Sequence, residues 1–175
     1  MKTPVIKSEH FILRPFRKED VLSLAKNLNN PEISKNMSRV PYPYTISDAK
    51  KWIDTKAKEE KDPKRQVYSF AIDKESQVIG SIGLSQVVPG HKAEVGYWLS
   101  RDFWNQGIMS KVIQLVVDFG FKKLKLQRVE AKVFIQNPTS RHVLEKNGFL
   151  CEGILKKDVI KKGKTHDVFI LAKVI

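Results

Sequence analysis

Two hydrophobic periods alternate along the chain, and each predicts a different kind of element. Apolar residues three and four positions apart, separated by charged ones, are typical of amphipathic helices. They predict helices over residues 17–30, 45–62, 107–124 and 137–148. Short apolar runs bounded by turn residues are typical of strands. They predict strands over residues 10–16, 68–73, 77–87, 93–100, 128–135, 149–160 and 165–175.

Two of the predicted helices have candidate capping residues. The last helix has Asn137 as its N-cap, Pro138 at its first position and Gly148 in its C-terminal turn. In the second helix, Ser47 is the predicted N-cap, and Lys50 stands where a glutamate would complete a capping box.

The order of the elements predicts an α/β fold around one mixed, mostly antiparallel sheet of about seven strands, with helices on both faces. Three consecutive strands on short turns over 68–100 favour an antiparallel meander. The strand–helix–strand unit over 93–135 requires one parallel pair. Ligands bind where parallel strands part at their carboxyl ends, and residues 97–109 fall there. Since no linker or repeat interrupts the pattern, residues 1–175 are expected to form a single domain.

The composition is strongly basic, which bears on the partners. The chain has 32 Lys and Arg against 19 Asp and Glu, a net charge of +13 that attracts polyanions. These residues are spread along the chain, which favours a solvated lysine-rich surface over a ribosome- or nucleic-acid-facing patch. Stacking aromatics and known nucleic-acid modules are missing, so specific nucleic-acid binding is not expected. No apolar run approaches the ~20 residues that span a membrane, and no signal peptide is indicated.

The cysteine and histidine content favours a cytoplasmic protein without a metal site. The single cysteine, Cys151, excludes an internal disulfide and indicates a reducing compartment. It falls in an apolar strand pattern, so a buried, inert side chain is expected. The four histidines are scattered, with no pair at metal-ligand spacing.

Gly107 and Glu94 are the two positions whose residue type raises a chemical question. Gly107 stands where a helix begins, and it either turns the chain or lets an anion approach the N–H groups of the first turn. Strand alternation places Glu94 on the same face as Gly96 and Trp98, and Tyr97 on the opposite face. A carboxylate on a strand is either ion-paired or, where its pKa is raised, a general base.

Three motifs and the element order resemble the GNAT acetyltransferase superfamily. The motifs are AEVGYWLS at 93–100, WNQGIMSKVI at 104–113 and NPTSRHVLEKNGF at 137–149. The opening ILRPF and the EVGYWL phrase are most similar to the RimJ/RimL-like branch, which acetylates protein N-termini and other amines. The resemblance covers almost the whole chain. It implies a GNAT-like fold with a splayed central parallel strand pair, and acetyl-CoA as cosubstrate without a metal.

The resemblance also implies a set of cofactor-binding residues. The family's signature loop is Arg or Gln, two residues, Gly, one residue, then Gly or Ala. Here these positions are Trp104, Gly107 and Met109, so the middle glycine is kept and the outer two depart. In the family, this loop binds the pyrophosphate through backbone N–H groups, and strand backbone pairs with the pantetheine arm. The residues carried over are Trp98, Leu99, Trp104, Asn105, Gln106, Gly107, Ile108, Met109, Ser110 and Asn137.

Two catalytic roles follow from the same resemblance. Glu94 matches the family's acidic residue, a general base acting through water. Most of the superfamily has a tyrosine where this chain has Leu144, whereas the RimJ/RimL-like branch has a serine at the position of Ser140. Ser140 is therefore expected to donate a hydrogen bond to the departing thiolate. The implied reaction is direct attack of a primary amine on the thioester in a ternary complex.

The identity of the acceptor stays open. A protein N-terminus of the ribosomal-protein type is favoured, because a cationic surface repels polyamines and aminoglycosides. A small-molecule amine, a non-catalytic ribosome- or RNA-binding module and an acyl-CoA sensor are the alternatives. Tyr42, Tyr44 and Trp52 either line the acceptor pocket or only pack. The expected partners are acetyl-CoA, an amine acceptor and a ribosomal protein, with a homodimer if the closing hairpin pairs edge to edge.

Overall fold

The computed structural model describes the whole chain, Met1–Ile175, as five α-helices and one eight-stranded sheet. The strands are β1 (Ile6–Lys7), β2 (Ile12–Arg14), β3 (Tyr68–Lys74), β4 (Gln77–Val88), β5 (Lys92–Leu99), β6 (Arg128–Phe134), β7 (Leu150–Lys161) and β8 (Lys164–Val174). The helices are α1 (Val21–Leu28), α2 (Pro31–Ser34), α3 (Ile46–Lys61), α4 (Ile108–Lys123) and α5 (Pro138–Lys146).

The sheet is mixed and mostly antiparallel, which confirms the predicted fold class. Its strand order is β1-β2-β3-β4-β5-β6-β8-β7. Only β5 and β6 are parallel, and helix α4 connects them. The two-residue strand β1, which the hydrophobic pattern does not mark, brings the number of strands to eight. No helix is both long enough and apolar enough to cross a membrane.

Helices cover both faces of the sheet, and each face has its own hydrophobic core. The α4-side core joins α4 and α5 to the sheet through residues such as Ile113 and Leu144. The α1-side core joins α1, α2 and α3 to the opposite face and includes Leu24. Because Leu99 belongs to the first core and Trp98 to the second, the end of β5 is held from both sides.

The parallel ladder between β5 and β6 is short. Its register pairs Lys92–Glu94 with Arg128–Glu130 and ends there. Beyond this point β5 stays paired with β4 as far as Leu99, and β6 stays paired with β8. The two central strands therefore part after three residue pairs, and their facing edges are open.

Arg14, the arginine of the ILRPF motif, is buried between two carboxylates. Its Nε donates to Asp73 at 2.6 Å, and its terminal nitrogens donate to Asp20 at 2.8 Å. Burial lowers the pKa of the guanidinium, but the hydrogen bonds with Asp20 and Asp73 outweigh burial and hold that pKa above its ordinary value. The residue thus ties β2 to β3 and to the start of α1.

Two local predictions are wrong, and one predicted helix is too long. Helix α3 is capped by Thr45 rather than Ser47: Thr45 Oγ1 accepts from Asp48 N–H at 3.1 Å, and Asp48 accepts from Thr45 N–H at 2.9 Å. This is a capping box with aspartate in place of glutamate. Cys151 is exposed, because β7 lies at the edge of the sheet. The helix over 17–30 is shortened to α1, since a 3-10 turn replaces its beginning.

Gly80→Ala is expected to destabilise the fold. A Cβ at Gly80 would lie 2.6 Å from Trp98 O and 2.9 Å from Ile72 Cδ1. Because Trp98 O is a backbone atom on a paired strand, moving it to relieve this close contact would disturb the β4–β5 ladder. We expect a loss of about 1–3 kcal/mol in the free energy of unfolding, measured by chemical denaturation.

Gly96→Ala on β5 is the matched control for this substitution. A Cβ at Gly96 would meet no atom within 4 Å. Alanine in a strand also restricts the unfolded chain more than glycine does, so this variant should be at least as stable as the native protein. Equal losses in the two variants would contradict the packing argument.

Candidate active site

A cavity of about 710 Å³ opens where β5 and β6 part. Its walls come from α2 and the segment after it, from β5, β6 and β7, and from the first turns of α4 and α5. Of the site residues predicted from the sequence, Gln106 alone does not line it. The Gln106 side chain is exposed, and its Nε2 donates to Asp102 O at 2.9 Å.

The start of α4 presents unpaired backbone N–H groups. Gly107 is the N-cap with a φ of +73°, and Asn105 also has a positive φ, of 61°. The N–H groups of residues 107–110 donate no hydrogen bond within the chain, as in the first turn of other helices. A Cβ at Gly107 would meet no atom within 4 Å, so the approach is open. These donors and the positive end of the helix dipole favour an anion.

The two departures from the family's signature loop have structural partners elsewhere. Met109 is 8% exposed and packs in the α4-side core, so it leaves the space at Gly107 free. Trp104 Nε1 donates to Leu99 O at 2.8 Å, and the Arg101 guanidinium lies 5.0 Å from the Trp104 ring centroid. Trp104 therefore fastens the loop to the end of β5.

The open edge of β5 belongs to Tyr97 and Leu99 rather than to Trp98. His91 O accepts from Arg128 N–H on β6, whereas Ser100 N–H donates to Ile79 O on β4. Because backbone groups alternate along a strand, the odd-numbered residues from 91 to 99 face β6 and the even-numbered ones face β4. The backbone groups that face the gap are therefore those of Tyr97 and Leu99, and not those of Trp98. The Trp98 side chain still lines the cavity.

Ser140 and Tyr97 form a hydroxyl pair in the cavity wall. The Tyr97 hydroxyl lies 2.8 Å from Ser140 Oγ. Asn137 is the N-cap of α5, as its sequence position predicts, and its Oδ1 accepts from Ser140 N–H at 3.2 Å. Burial raises the pKa of Tyr97 to about 12, which keeps its proton in place. Leu144, where most of the superfamily has a tyrosine, is fully buried in the α4-side core.

Glu94 is a half-buried carboxylate without an ion pair. It accepts a single hydrogen bond, from Gln86 Nε2 at 3.2 Å. Burial is the main reason why the pKa of Glu94 is raised above its ordinary value. The charge of Lys132 opposes this rise, and the charge of Glu130 reinforces it. A raised pKa brings a carboxylate closer to the range in which it exchanges protons near neutral pH.

The other charged side chains around Glu94 form ion pairs with one another. Lys132 Nζ lies 2.8 Å from Asp158 Oδ2. Glu130 accepts from Lys92 Nζ at 3.2 Å and from Arg128 Nε at 2.9 Å. Because these cations are already paired, the Glu94 carboxylate is free to take a proton.

Several residues that line the cavity near Glu94 are not predicted by any sequence pattern. Asn36, Met37 and Arg39 follow α2 and line it, as does Asp158 from β7. No period marks these positions, because only long-range packing brings them to β5. Tyr97 is also missed, since its partner Ser140 is distant in sequence. No group of His, Cys, Asp and Glu is placed to hold a metal ion.

The three aromatic residues considered for the acceptor pocket do not line this cavity. Tyr44 is 7% exposed and belongs to the α1-side core. Trp52 packs edge to face on Phe16, with ring centroids 6.4 Å apart. Tyr42 is 45% exposed. Of the two interpretations, packing describes Tyr44 and Trp52.

Glu94 and Glu130, which face each other in the parallel register, are expected to affect stability with opposite signs. The raised pKa of Glu94 means that the folded state favours its protonated form, so this stabilisation is lost as the pH rises through the folded pKa. Glu94→Gln should therefore raise the midpoint of thermal unfolding at neutral pH. It should change the midpoint little in acid below about pH 4.

Glu130→Gln is the matched variant. Burial raises the pKa of Glu130, but hydrogen bonds from Arg128 and Lys92 outweigh burial and hold the pKa below its ordinary value. The native carboxylate thus stabilises the fold above its unfolded pKa, and this contribution is lost as the pH falls through the folded pKa. Glu130→Gln should lower the midpoint at neutral pH. A shift of the same sign in both variants would refute the assignment.

Comparisons with known proteins agree with this fold. Residues 10–150 match the family described as the acetyltransferase (GNAT) domain. An uncharacterized N-acetyltransferase of Bacillus licheniformis, p20, is 30% identical over 94% of this chain and 93% of its own. The ribosomal-protein-serine acetyltransferase of Escherichia coli (strain K12) is 36% identical over 61% of this chain and 60% of its own.

Among solved structures, the fold is similar to that of RimL, a ribosomal L7/L12 alpha-N-protein acetyltransferase in complex with coenzyme A. The TM-score is 0.86 at 23% identity, and the match covers 98% of both chains. The family match extends over most of this chain, including the parted strands and the start of α4. The chain therefore belongs to the GNAT acetyltransferase family and is an acetyl-CoA-dependent N-acetyltransferase.

Proposed function

We propose that this enzyme acetylates the N-terminal amine of a protein, of the ribosomal-protein type, by direct attack in a ternary complex. One observation carries the proposal: three kinds of group meet around a single cavity at the parted strands. They are the free N–H groups of residues 107–110, the Tyr97–Ser140 hydroxyl pair and the unpaired carboxylate of Glu94.

The proposed acetyl-CoA site relies on backbone groups. The N–H groups of Gly107, Ile108, Met109 and Ser110 would bind the pyrophosphate, which the open space at Gly107 supports. The pantetheine arm would pair with the open edge of β5, where Leu99 N–H faces the gap. The remaining residues shape this surface by packing or capping: Trp98, Trp104, Asn105 and Asn137. Gln106 supports the turn from outside through Asp102.

In the proposed reaction, Glu94, the Leu99 N–H group and Ser140 each have one role. The acceptor amine loses a proton through water to Glu94, whose raised pKa suits a general base. The amine nitrogen then bonds to the thioester carbonyl carbon, while Leu99 N–H stabilises the developing oxyanion. The C–S bond breaks, and the second proton of the former amine nitrogen passes through the Ser140 hydroxyl to the thiolate, so that Ser140 ends the reaction as a neutral hydroxyl. The Tyr97 hydroxyl lies 2.8 Å from Ser140 Oγ and donates to Ser140 O at 3.2 Å, so it positions the serine hydroxyl. A weak donor is sufficient, because the thiolate is only a modest base.

A protein acceptor is supported by the relatives and by charge. Both RimL and the ribosomal-protein-serine acetyltransferase are named for ribosomal-protein substrates. The net charge of +13 disfavours small polycations such as polyamines and aminoglycosides, and it favours an approach to the ribosome. Against this background, a small-molecule amine is the weaker candidate.

The proposal includes a single domain over 1–175, a cytoplasmic location and a homodimer as the mode of assembly. One sheet that contains strands from both ends of the chain supports the single domain. The lone Cys151, exposed on β7, suits a reducing compartment. Strand β7 lies at the edge of the sheet and exposes Leu150 and Ile160 by 74% and 70%, which supports pairing of this edge with a second copy.

Gly107→Glu should weaken acetyl-CoA binding about 10- to 100-fold, because the new carboxylate repels a phosphate at the free N–H groups. Isothermal titration calorimetry with acetyl-CoA measures this directly. Gly163→Glu at the tip of the β7–β8 hairpin is the matched control, since both glycines have a φ of +73° and open space around a Cβ. Equal dissociation constants for the two variants would rule out the phosphate site.

The function itself is tested by thiol release from acetyl-CoA with peptide N-termini, polyamines, amino acids and aminoglycosides as acceptors. We expect release with peptides and a fall of kcat by about 100-fold or more in Glu94→Gln, the usual range for loss of a general base. Glu9→Gln, at an exposed position outside the cavity, should keep full activity. Preference for a small-molecule class over every peptide would disprove the proposed acceptor.

A further inference from the structure

The segment after α2, residues 36–39, lines the cavity and is held in a fixed position. Ser34 Oγ donates to Val40 O at 2.8 Å and closes the Ser34–Val40 loop on itself. Lys161 Nζ, at the end of β7, donates to Ser34 O and, at 2.9 Å, to Met37 O. The β7–β8 hairpin therefore anchors this loop from the opposite wall.

Arg39 is the one arginine of this loop, and it has no partner within the chain. Its side chain is exposed, lines the cavity and makes neither a hydrogen bond nor an ion pair. Nearby cations differ: Lys132 is paired with Asp158, and Lys161 is bound to backbone oxygens. Arg39 is the only arginine that lines the cavity, and it combines an anchored loop with a free guanidinium.

The free cation and the free carboxylate lie on the same side of the cavity. Burial raises the pKa of Glu94, and Arg39 is among the nearby cations whose charge opposes that rise. Glu94 nevertheless has no ion pair of its own, with Arg39 or any other cation. An acceptor whose amine reaches Glu94 would thus place its neighbouring groups beside Arg39. A guanidinium in such a position prefers a carboxylate, which it binds through two parallel hydrogen bonds.

A second polar group of the same loop favours a peptide over a free amino acid. Asn36 Oδ1 is buried without a hydrogen-bond donor, although its Nδ2 donates to Glu32 O at 3.3 Å. Buried polar atoms in proteins are nearly always paired, so an unpaired oxygen in a residue that lines the cavity is unusual. A small shift of the loop on binding would expose this oxygen to the backbone N–H groups that a peptide acceptor carries next to its side chains. A free amino acid has none beyond the reacting amine.

We infer that Arg39 is the binding site for a carboxylate on the acceptor, and that the acceptor is a protein N-terminus with an acidic residue close to its amine. The inference rests on the proposed function, because it takes Glu94 to mark the position of the amine. It adds the class of N-terminal sequence, which the family resemblance leaves open. It also explains how a strongly basic enzyme selects its substrate: the acidic N-terminal segment replaces the missing partner of Arg39.

The test compares C-terminally amidated peptides that differ only by aspartate or asparagine at the second residue. With native enzyme we expect kcat/KM to be about tenfold higher for the aspartate peptide, mostly through KM, as for a hydrogen-bonded charge pair. Arg39→Gln should reduce this ratio to about one and leave the asparagine peptide unchanged. Lys50→Gln, which removes one charge at an exposed position of α3 outside the cavity, should keep the native ratio.

Several results would overturn the inference. Equal kcat/KM for the two peptides with native enzyme would do so, as would an unchanged ratio in Arg39→Gln. Weaker acetyl-CoA binding in Arg39→Gln would assign the residue to the cofactor instead. Free alanine accepted in preference to alaninamide, without a preference between the peptides, would identify a free amino acid as the source of the carboxylate and reject the peptide.

A second measurement separates failure of this inference from failure of the proposed function. Calorimetric titration of both peptides into the native enzyme with CoA, and into Arg39→Gln with CoA, reads the carboxylate site without turnover. Turnover of both peptides without discrimination would leave the proposed function standing and reject the acidic acceptor. Absence of turnover with every peptide would reject the proposed function, and tighter binding of the aspartate peptide to the native enzyme alone would still support the Arg39 site.

Discussion

The early end of the parallel ladder between β5 and β6 is the constraint on which the rest of the site depends. Each strand keeps its antiparallel partner, β4 for β5 and β8 for β6, so the sheet stays intact while the centre opens. The N-terminal turns of α4 and α5 reach the gap from the same side. Backbone groups left unpaired by the parting strands, together with the helix N–H groups, give the cavity its polar character.

Charge is distributed unevenly around this opening. Most carboxylates there are neutralised by lysine or arginine, as Glu130 and Asp158 are, but Glu94 is not. Burial of an unpaired carboxylate costs stability, which the folded state tolerates because the two hydrophobic cores hold β5 from both faces. The same burial raises the pKa of Glu94 toward the range that is useful in proton transfer. Burial of Glu94 therefore lowers the stability of the fold while it favours proton transfer.

Local signals in the sequence predicted some elements well and others poorly. Asn137, Pro138 and Gly148 delimit α5 because capping depends on residues only a few positions apart. The cap of α3 was missed, since aspartate at position 48 completes the capping box in place of glutamate. Cys151 was expected to be buried from its apolar neighbours, but burial depends on whether a strand is central or at the edge, which a local pattern does not contain.

The sequence by itself determined the order of the elements except for the short β1 and α2, the single parallel pair and the glycine at the start of α4, because each follows from periodicity or from backbone conformation. It also marked Glu94, Gly107 and Ser140 through resemblance to a family. Only the tertiary structure decided which groups meet: the Tyr97–Ser140 pair, the unpaired state of Glu94, and the loop that carries Arg39 over the cavity. These depend on contacts between residues far apart in the chain, which neither period nor spacing records.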